Sequence, residues 1–301
     1  MHAYTNLVLG ILFVLVAATF LGRIIKRWRS PYSPHAVIDN MNTRIDAWWI
    51  IAALLFAASW IGAVGLALLF AAASLQASRE YIAKMPTAPW VALVAATALQ
   101  YLLAVEGPSI AFLFLLPLVV AAVVGMSALG EARMTPYNAM PSALLLCVYC
   151  VSHIPALTSL EVSNTADSSL GPTLFLVIVV QASDVMQYIA GKLAGRHPIA
   201  PRLSPGKTVE GALGGLLGAG VLGASLAALT PYGIGTAAAV AVGLAALGIA
   251  GGLLFSAMKR KRGIKDWGDA IPGHGGVLDR LDSLCLSAPA FYHLLRISPG
   301  V

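Results

Sequence analysis

The chain of 301 residues is 58% hydrophobic and only 11% charged, with a mean hydropathy of +0.82 and a net charge of +6. Soluble domains carry about 25% charged residues, so the composition excludes a soluble protein and points to a polytopic membrane protein. The positive excess is loop charge, which reads as membrane orientation and anionic ligands rather than nucleic acid.

A spanning helix needs about 20 apolar residues. The first apolar run, 7–21, follows six residues without a basic group and precedes Arg23, Lys26, Arg27 and Arg29. A cleaved leader has the opposite order, so this run is expected to be a retained anchor. Residues 46–82 are apolar but too long for one span. They read as a tight helical hairpin turning at residues 60–62, with both ends on the basic side. Further spans are expected over 90–105, 110–129, 139–158, 170–190, 211–229 and 234–258. A last stretch, 283–297, is short enough to be either a span or a half-inserted helix. The expected fold is thus all-α and polytopic, with nine to ten transmembrane helices. Residues 1–138 form N-terminal transmembrane helices. Residues 139–301 form a C-terminal transmembrane catalytic region with cytoplasmic loops 191–210 and 258–282.

Charge tests this arrangement. With the N-terminus outside, eighteen of the nineteen Lys and Arg fall on one side, and Arg296 alone is left over. The outer turns carry Glu106, Glu161 and Asp167 and no basic residue. The positive-inside rule then places the basic loops in the cytoplasm and the protein in the inner, cytoplasmic membrane. Cys147 and Cys150 form C-x-x-C inside an apolar pattern without further Cys nearby, and Cys285 also adjoins an apolar stretch. Buried structural thiols are expected there, not a redox pair or a zinc site. His153 reads as a packing residue and His197 as a loop residue. The glycines of 211–223 and 233–252 suit close helix packing in lipid.

Two stretches carry chemistry. In the first, Asp184 lies inside an apolar run, where a carboxylate is costly and marks a functional position. It is followed by Gln187, Tyr188, Gly191, Lys192, Gly195 and Arg196, then by Ser204-Pro205-Gly206-Lys207-Thr208 before a helix whose first turn holds Glu210. Hydroxyls, a lysine and free helix N–H groups together make an anion site. Thr208 by itself would equally serve as an ordinary helix cap.

The second stretch, 256–282, holds six of the nineteen basic residues and four of the thirteen acidic ones. Such a mixture cannot lie in hydrocarbon. Asp266/Asp269 and Asp279/Asp282 have i,i+3 spacing, which on a helix shares a face. Carboxylates so placed repel unless a cation lies between them, and oxygen ligands suit Mg²⁺ or Ca²⁺. Lys and Arg beside them would hold phosphate oxygens. A solvated basic loop that orients the preceding helix would account for residues 259–262, but not for four Asp and a Gly-His-Gly-Gly turn.

These stretches resemble the phosphatidate cytidylyltransferases (CDP-diacylglycerol synthases). The run from Ser256 to Asp282 fits S-x-x-K-R-x-x-x-x-K-D, a spacer, then H-G-G-x-x-D-R-x-D. The run 184–211 fits an intramembrane Asp, A-Y-x-x-G-(K/R)-x-x-G-(K/R), then S-P-x-K-T-x-E-G, with Gln187 in place of the small residue before Tyr188. The resemblance covers the C-terminal half by motif and the N-terminal half by hydropathy alone. It implies transfer of CMP from CTP to phosphatidate, giving CDP-diacylglycerol and pyrophosphate. It implies Asp184, Asp266, Asp279 and Asp282 at one or two Mg²⁺ sites, with Asp184, Lys265, Asp266 and Asp279 as the catalytic set. Tyr188, Ser204, Lys207, Thr208, Lys259, Arg260, His274 and Arg280 would bind substrate. The expected partners are CTP, phosphatidate or a related lipid phosphate, membrane lipids and, as an option, a second copy in a homodimer. Two other readings stand beside it: a cytidylyltransferase for a different lipid phosphate, motivated by Gln187, and a transporter of anionic lipids.

Overall fold

The computed structural model describes residues 2–29, 36–82, 87–107, 109–127, 136–160, 162, 170–271, 273 and 275–298. Lys84, Arg133, Glu161, Asp167 and His274 lie outside the described residues.

The apolar runs fold as helices, because in hydrocarbon every backbone N–H and C=O needs an internal partner. α1 (His2–Arg29) ends in its basic cluster and packs against α2 (Ala36–Ile61). Lys26 Nζ meets Asp39 at 2.5 Å, and Trp49 donates to Thr19 Oγ1 at 2.9 Å. The expected hairpin is present: Gly62 alone separates α2 from α3 (Ala63–Tyr81), and the two helices pack together. Gly62 has φ 91°, a left-handed backbone that only glycine adopts without penalty. Next come α4 (Thr87–Glu106) and α5 (Ile110–Ser127).

The run expected as one span over 139–158 is a compound helix. It comprises α6 (Pro136–Ala143), a wide π segment (Leu144–Tyr149), α7 (Cys150–Ala156) and a closing 3-10 turn (Leu157–Ser159). α8 (Gly171–Ala194) follows, then α9 (Val209–Ser225), α10 (Ile234–Lys261), the single turn α11 (Leu278–Leu281) and α12 (Leu284–Arg296).

The fold is helical as expected, and between α8 and α9 it carries one small two-stranded sheet. Strands β1 (Pro198–Ala200) and β2 (Ser204–Thr208) pair antiparallel, with Pro198 opposite Thr208 and Ala200 opposite Ser204. Pro198, Pro201 and Pro205 explain the hairpin. Each lacks an N–H, and each pushes its predecessor toward extended backbone, so a helix cannot run through this loop.

Among the described residues, five helices are long and apolar enough to cross a membrane: Val8–Trp28, Met41–Ile61, Ala139–Ser159, Gly171–Ala194 and Ile234–Lys261. Shorter apolar helices cover Trp90–Glu106, Ile110–Ala121 and Val209–Ser225. Their outward faces are apolar. Phe13, Phe20, Trp60, Leu102, Leu118, Leu217 and Val221 are all exposed, a distribution that suits lipid and not water. Inside, α8 packs on α9 and α10, and α12 packs on α7 and α10. Phe175 stacks on Phe291 at 5.6 Å. Phe112, His153 and Tyr292 form a buried ring cluster. His153 is therefore the packing residue expected, with Nδ1 2.8 Å from the Tyr149 carbonyl oxygen. Cys147, Cys150 and Cys285 are free and buried.

Candidate active site

Three chain segments converge at one end of the bundle: the last turns of α8, the β1–β2 hairpin, and the loop from α10 through α11. Arg260 joins two of them. Its Nε donates to the Leu203 carbonyl in the hairpin (3.1 Å) and its Nη1 to the Ile264 carbonyl (2.9 Å). The hairpin is fixed to α9 by Glu210, whose Oε2 accepts from the N–H of Arg196 (3.0 Å) and of His197 (3.2 Å). His197 Nδ1 lies 2.5 Å from Glu210 Oε1. The Arg196 N–H, then the His197 ring, hold the Glu210 carboxyl down to about 2. Thr208 caps α9 by accepting from the Gly211 N–H at 3.1 Å, the ordinary role that its sequence position allowed.

The hairpin delivers Lys207 to α10. A Cβ on Gly252 would collide with Lys207 Nζ, and a Cβ on Gly251 with the Asp282 carbonyl oxygen. Glycine at these two positions therefore lets the lysine and the α11–α12 turn lie directly on the helix. Lys207 and Arg280 act on Asp184 and Asp282 electrostatically. Gln181, one turn before Asp184 on α8, donates to the Arg280 carbonyl at 2.9 Å and ties α11 to α8.

The Asp184 carboxylate acts electrostatically on Asp282. Burial, and then the Asp184 carboxylate, push the Asp282 carboxyl up to about 6, against the opposing pull of Lys207, Lys259 and Arg280. Two like charges so placed oppose one another's ionisation, and the three basic groups offset that only in part. Nearby, Arg280 Nε is buried without a hydrogen-bond partner, and the Ser283 side chain acts on the Asp184 carboxyl. A buried donor without a partner is uncommon in a folded protein and marks a position where a further acceptor would fit.

Asp279 is placed differently from its i,i+3 neighbour. Its Oδ1 pairs with Lys259 Nζ at 2.7 Å, and its Oδ2 accepts from the Trp267 N–H (2.9 Å) and the Gly276 N–H (3.0 Å). Both side chains of the ion pair are almost fully buried. A carboxylate offers about four lone-pair sites, and three are filled here. Asp279 is thus tied to α10 by the Lys259 ion pair, whereas Asp282 feels Lys259 only electrostatically, together with Asp184, Lys207 and Arg280. Asp266, Asp269 and Lys265 are exposed on the loop, and Asp266 lies beside Gly275.

The remaining expected residues are spread around this centre. Ser204 is half-buried in β2. Tyr188 is exposed, with Lys192 Nζ 5.9 Å from its ring. Gln187, expected to border Asp184, is buried with Gly215 of α9 against its Cβ. Sequence reasoning missed Gln181, Gly252, Trp267 and Glu80, an acidic residue on α3. Glu80 had a visible signal: it sits in Arg79-Glu80-Tyr81, a charged end to an apolar helix. Among the described residues no three His, Cys, Asp or Glu side chains come close enough to enclose a metal ion.

A sequence model of the cytidylyltransferase family matches residues 42–298. The uncharacterized protein YnbB of Escherichia coli is 32% identical over 293 residues, which cover 94% of this chain and 95% of that one. The phosphatidate cytidylyltransferase of Aquifex aeolicus is 38% identical over 142 residues, 47% of this chain and 53% of that protein. That of Helicobacter pylori is 45% identical over 123 residues, 40% of this chain and 46% of that protein. The chain thus spans about half the length of each of these two cytidylyltransferases.

Proposed function

We propose, from the premise that the chain belongs to the cytidylyltransferase family, that it transfers CMP from CTP to phosphatidate and releases pyrophosphate. The observation that carries this reading is the half-buried Asp184 and Asp282, coupled electrostatically to each other and to Lys207 and Arg280, with the unpartnered Arg280 Nε beside them. The lipid phosphate oxygen attacks the α-phosphorus of CTP. A new P–O bond forms, the bond to the β-phosphate breaks, and the electron pair leaves with pyrophosphate. No protein nucleophile is needed, and a base is scarcely needed, because a phosphate monoester loses its second proton near pH 6. What the reaction does need is neutralisation of an anion approaching an anion.

The residues present fit a divalent cation. Mg²⁺ is commonly held by one or two carboxylates plus substrate phosphates and water, so Asp184 and Asp282 suffice without a third ligand. Bound there, it would supply Lewis-acid neutralisation of the phosphate oxygens. Asp279, committed to Lys259 and two amides, would support the loop beside that site, and Asp266 on the exposed turn would be the carboxylate for a second metal. Lys207 and Arg280 orient the triphosphate from the hairpin and from α11. Lys259 holds Asp279, Arg260 holds the hairpin against the loop, and Lys265 stands at the exposed entrance. Ser204, Tyr188 and His274 are assigned to the rim that meets substrate.

We place this end of the bundle at the cytoplasmic face of the inner membrane, with nine to ten spans, residues 139–301 as the catalytic region and a homodimer as the assembly. A different lipid phosphate is not favoured, since two of the relatives named above are phosphatidate cytidylyltransferases. A transporter is not favoured, because the charge gathers at one end. The test is incubation of the purified protein with CTP, Mg²⁺ and a panel of lipid phosphates, with mass spectrometry of the products. CDP-diacylglycerol is expected. Its absence, with another CDP-lipid formed, would replace the substrate; no CDP-lipid at all would overturn the reaction.

A further inference from the structure

The loop that carries Asp266, Asp279, Arg280 and Asp282 has little secondary structure of its own, so something must hold its shape. Asp279 holds it from within, through the N–H groups of Trp267 and Gly276. A second carboxylate holds it from without, and this one belongs to the N-terminal half of the chain. Glu80, in the last turn of α3, accepts from the Val277 N–H with Oε1 (3.0 Å) and from the Leu278 N–H with Oε2 (2.9 Å). Gln76, one turn earlier on α3, donates to Glu80 Oε1 at 3.1 Å and orients it.

The next residue adds a second attachment. Arg262 Nη1 donates to the Tyr81 carbonyl at 2.5 Å. The Arg262 guanidinium lies 4.1 Å from the Tyr81 ring centroid and 5.0 Å from that of Trp267, within cation–π range. The two rings are 5.1 Å apart. Tyr81 OH in turn donates to Ser142 Oγ at 3.1 Å. Gly276 shows how closely the parts fit, since a Cβ there would collide with Glu80 Oε2. That glycine makes room for a carboxylate of the protein itself, not for a ligand.

We infer that Glu80 is a positioning residue for the reaction, and that the end of α3 sets the geometry of the loop bearing Asp279, Arg280 and Asp282. The three consecutive amides of residues 276–278 are held by Asp279 and Glu80, so the direction of α11 depends on both. Loss of the outer grip frees α11 to tilt, and Arg280 and Asp282 move with it. A displacement of about 1 Å at such groups can cost on the order of a hundredfold in rate. The effect on turnover rests on the reaction proposed above, whereas the grip itself does not.

The experiment compares wild type, Glu80→Ala and Glu80→Gln in detergent micelles. Hydrogen–deuterium exchange is read over 276–281, thermal unfolding is followed, and kcat and KM are measured with CTP and phosphatidate. Glu80→Ala should exchange faster at 276–281 and lose about tenfold or more in kcat, with KM for CTP changed by less than about threefold. Glu80→Gln, which keeps one accepting oxygen, should recover part of both. Unchanged exchange in Glu80→Ala would overturn the grip. Faster exchange with wild-type kcat would overturn the positioning role. A fall in unfolding temperature with kcat per folded molecule unchanged would reduce Glu80 to a structural residue and overturn it too. A wild type inert toward CTP would fail the reaction reading alone, because the exchange comparison needs no turnover.

Discussion

At the scale of single residues, the chemistry turns on which carboxylates are crowded and which are satisfied. Asp279 has three donors on its two oxygens, and removal of Lys259 would strand a buried charge, which commonly costs about 3–5 kcal/mol. Asp282 is disfavoured as a charge by burial and by Asp184, and in the proposed reaction a cation would offset that. Replacing either by Asn removes the ligand charge with little change of shape. Asp184→Asn and Asp282→Asn should therefore each lose two orders of magnitude or more in kcat, roughly the scale of a lost electrostatic contact to the transition state, while unfolding temperature is unchanged or higher. Asp269, exposed on the same loop, is the control, and Asp269→Asn should keep most of the activity. Turnover assays on the three variants beside a melting curve decide this; equal loss in all three would remove the carboxylate assignment.

At the scale of elements, α10 acts as a floor on which the site is laid. Its small residues Gly251 and Gly252 admit the Asp282 backbone and the Lys207 ammonium. In lipid, such close approach is what holds helices together, since there is no hydrophobic drive between them. The same floor yields a prediction with opposite signs. Gly252→Ala improves the helix by about 1 kcal/mol in propensity but occupies the place of Lys207 Nζ. The variant should be as stable as wild type or more so, and should lose about tenfold or more in kcat/KM for CTP. Stability and kinetics on one preparation check it, and an unchanged kcat/KM would show that Lys207 does not act from that position.

At the scale of the whole molecule, the arrangement of charge and the contacts agree. α3 ends beside the 262–278 loop, through Glu80 and Tyr81, and the hairpin meets the same loop through Arg260. Three basic segments assigned by charge alone to one side are thus in contact at one end of the bundle. Reading 46–82 as a single span would have sent the end of α3 to the far side. The proposed cytoplasmic placement predicts that a cysteine introduced within 161–168 is labelled by an impermeant reagent from outside the cell, and one within 198–203 only after the membrane is opened. The reverse pattern would invert the topology.

The sequence by itself determined a helical membrane protein, because hydropathy and charge record the solvent around each segment. It determined the α2–α3 hairpin as well, since only a reversal at residues 60–62 reconciles the basic loops. It marked Asp184, Lys207, Arg280 and Asp282, because polar groups in apolar surroundings and close runs of opposite charge are visible along the chain. Tertiary structure alone decided how these groups divide. Spacing put Asp279 with Asp282, yet Asp279 is tied to α10 by Lys259, and Asp282 is coupled electrostatically to Asp184, 98 positions away. Nor could spacing show that Gln187 faces α9, that three prolines shape a β-hairpin, or that Glu80 grips amides nearly 200 residues on. Local pattern encodes the environment of a segment; which side chains meet depends on how the helices close around one another, and no short stretch of sequence carries that information.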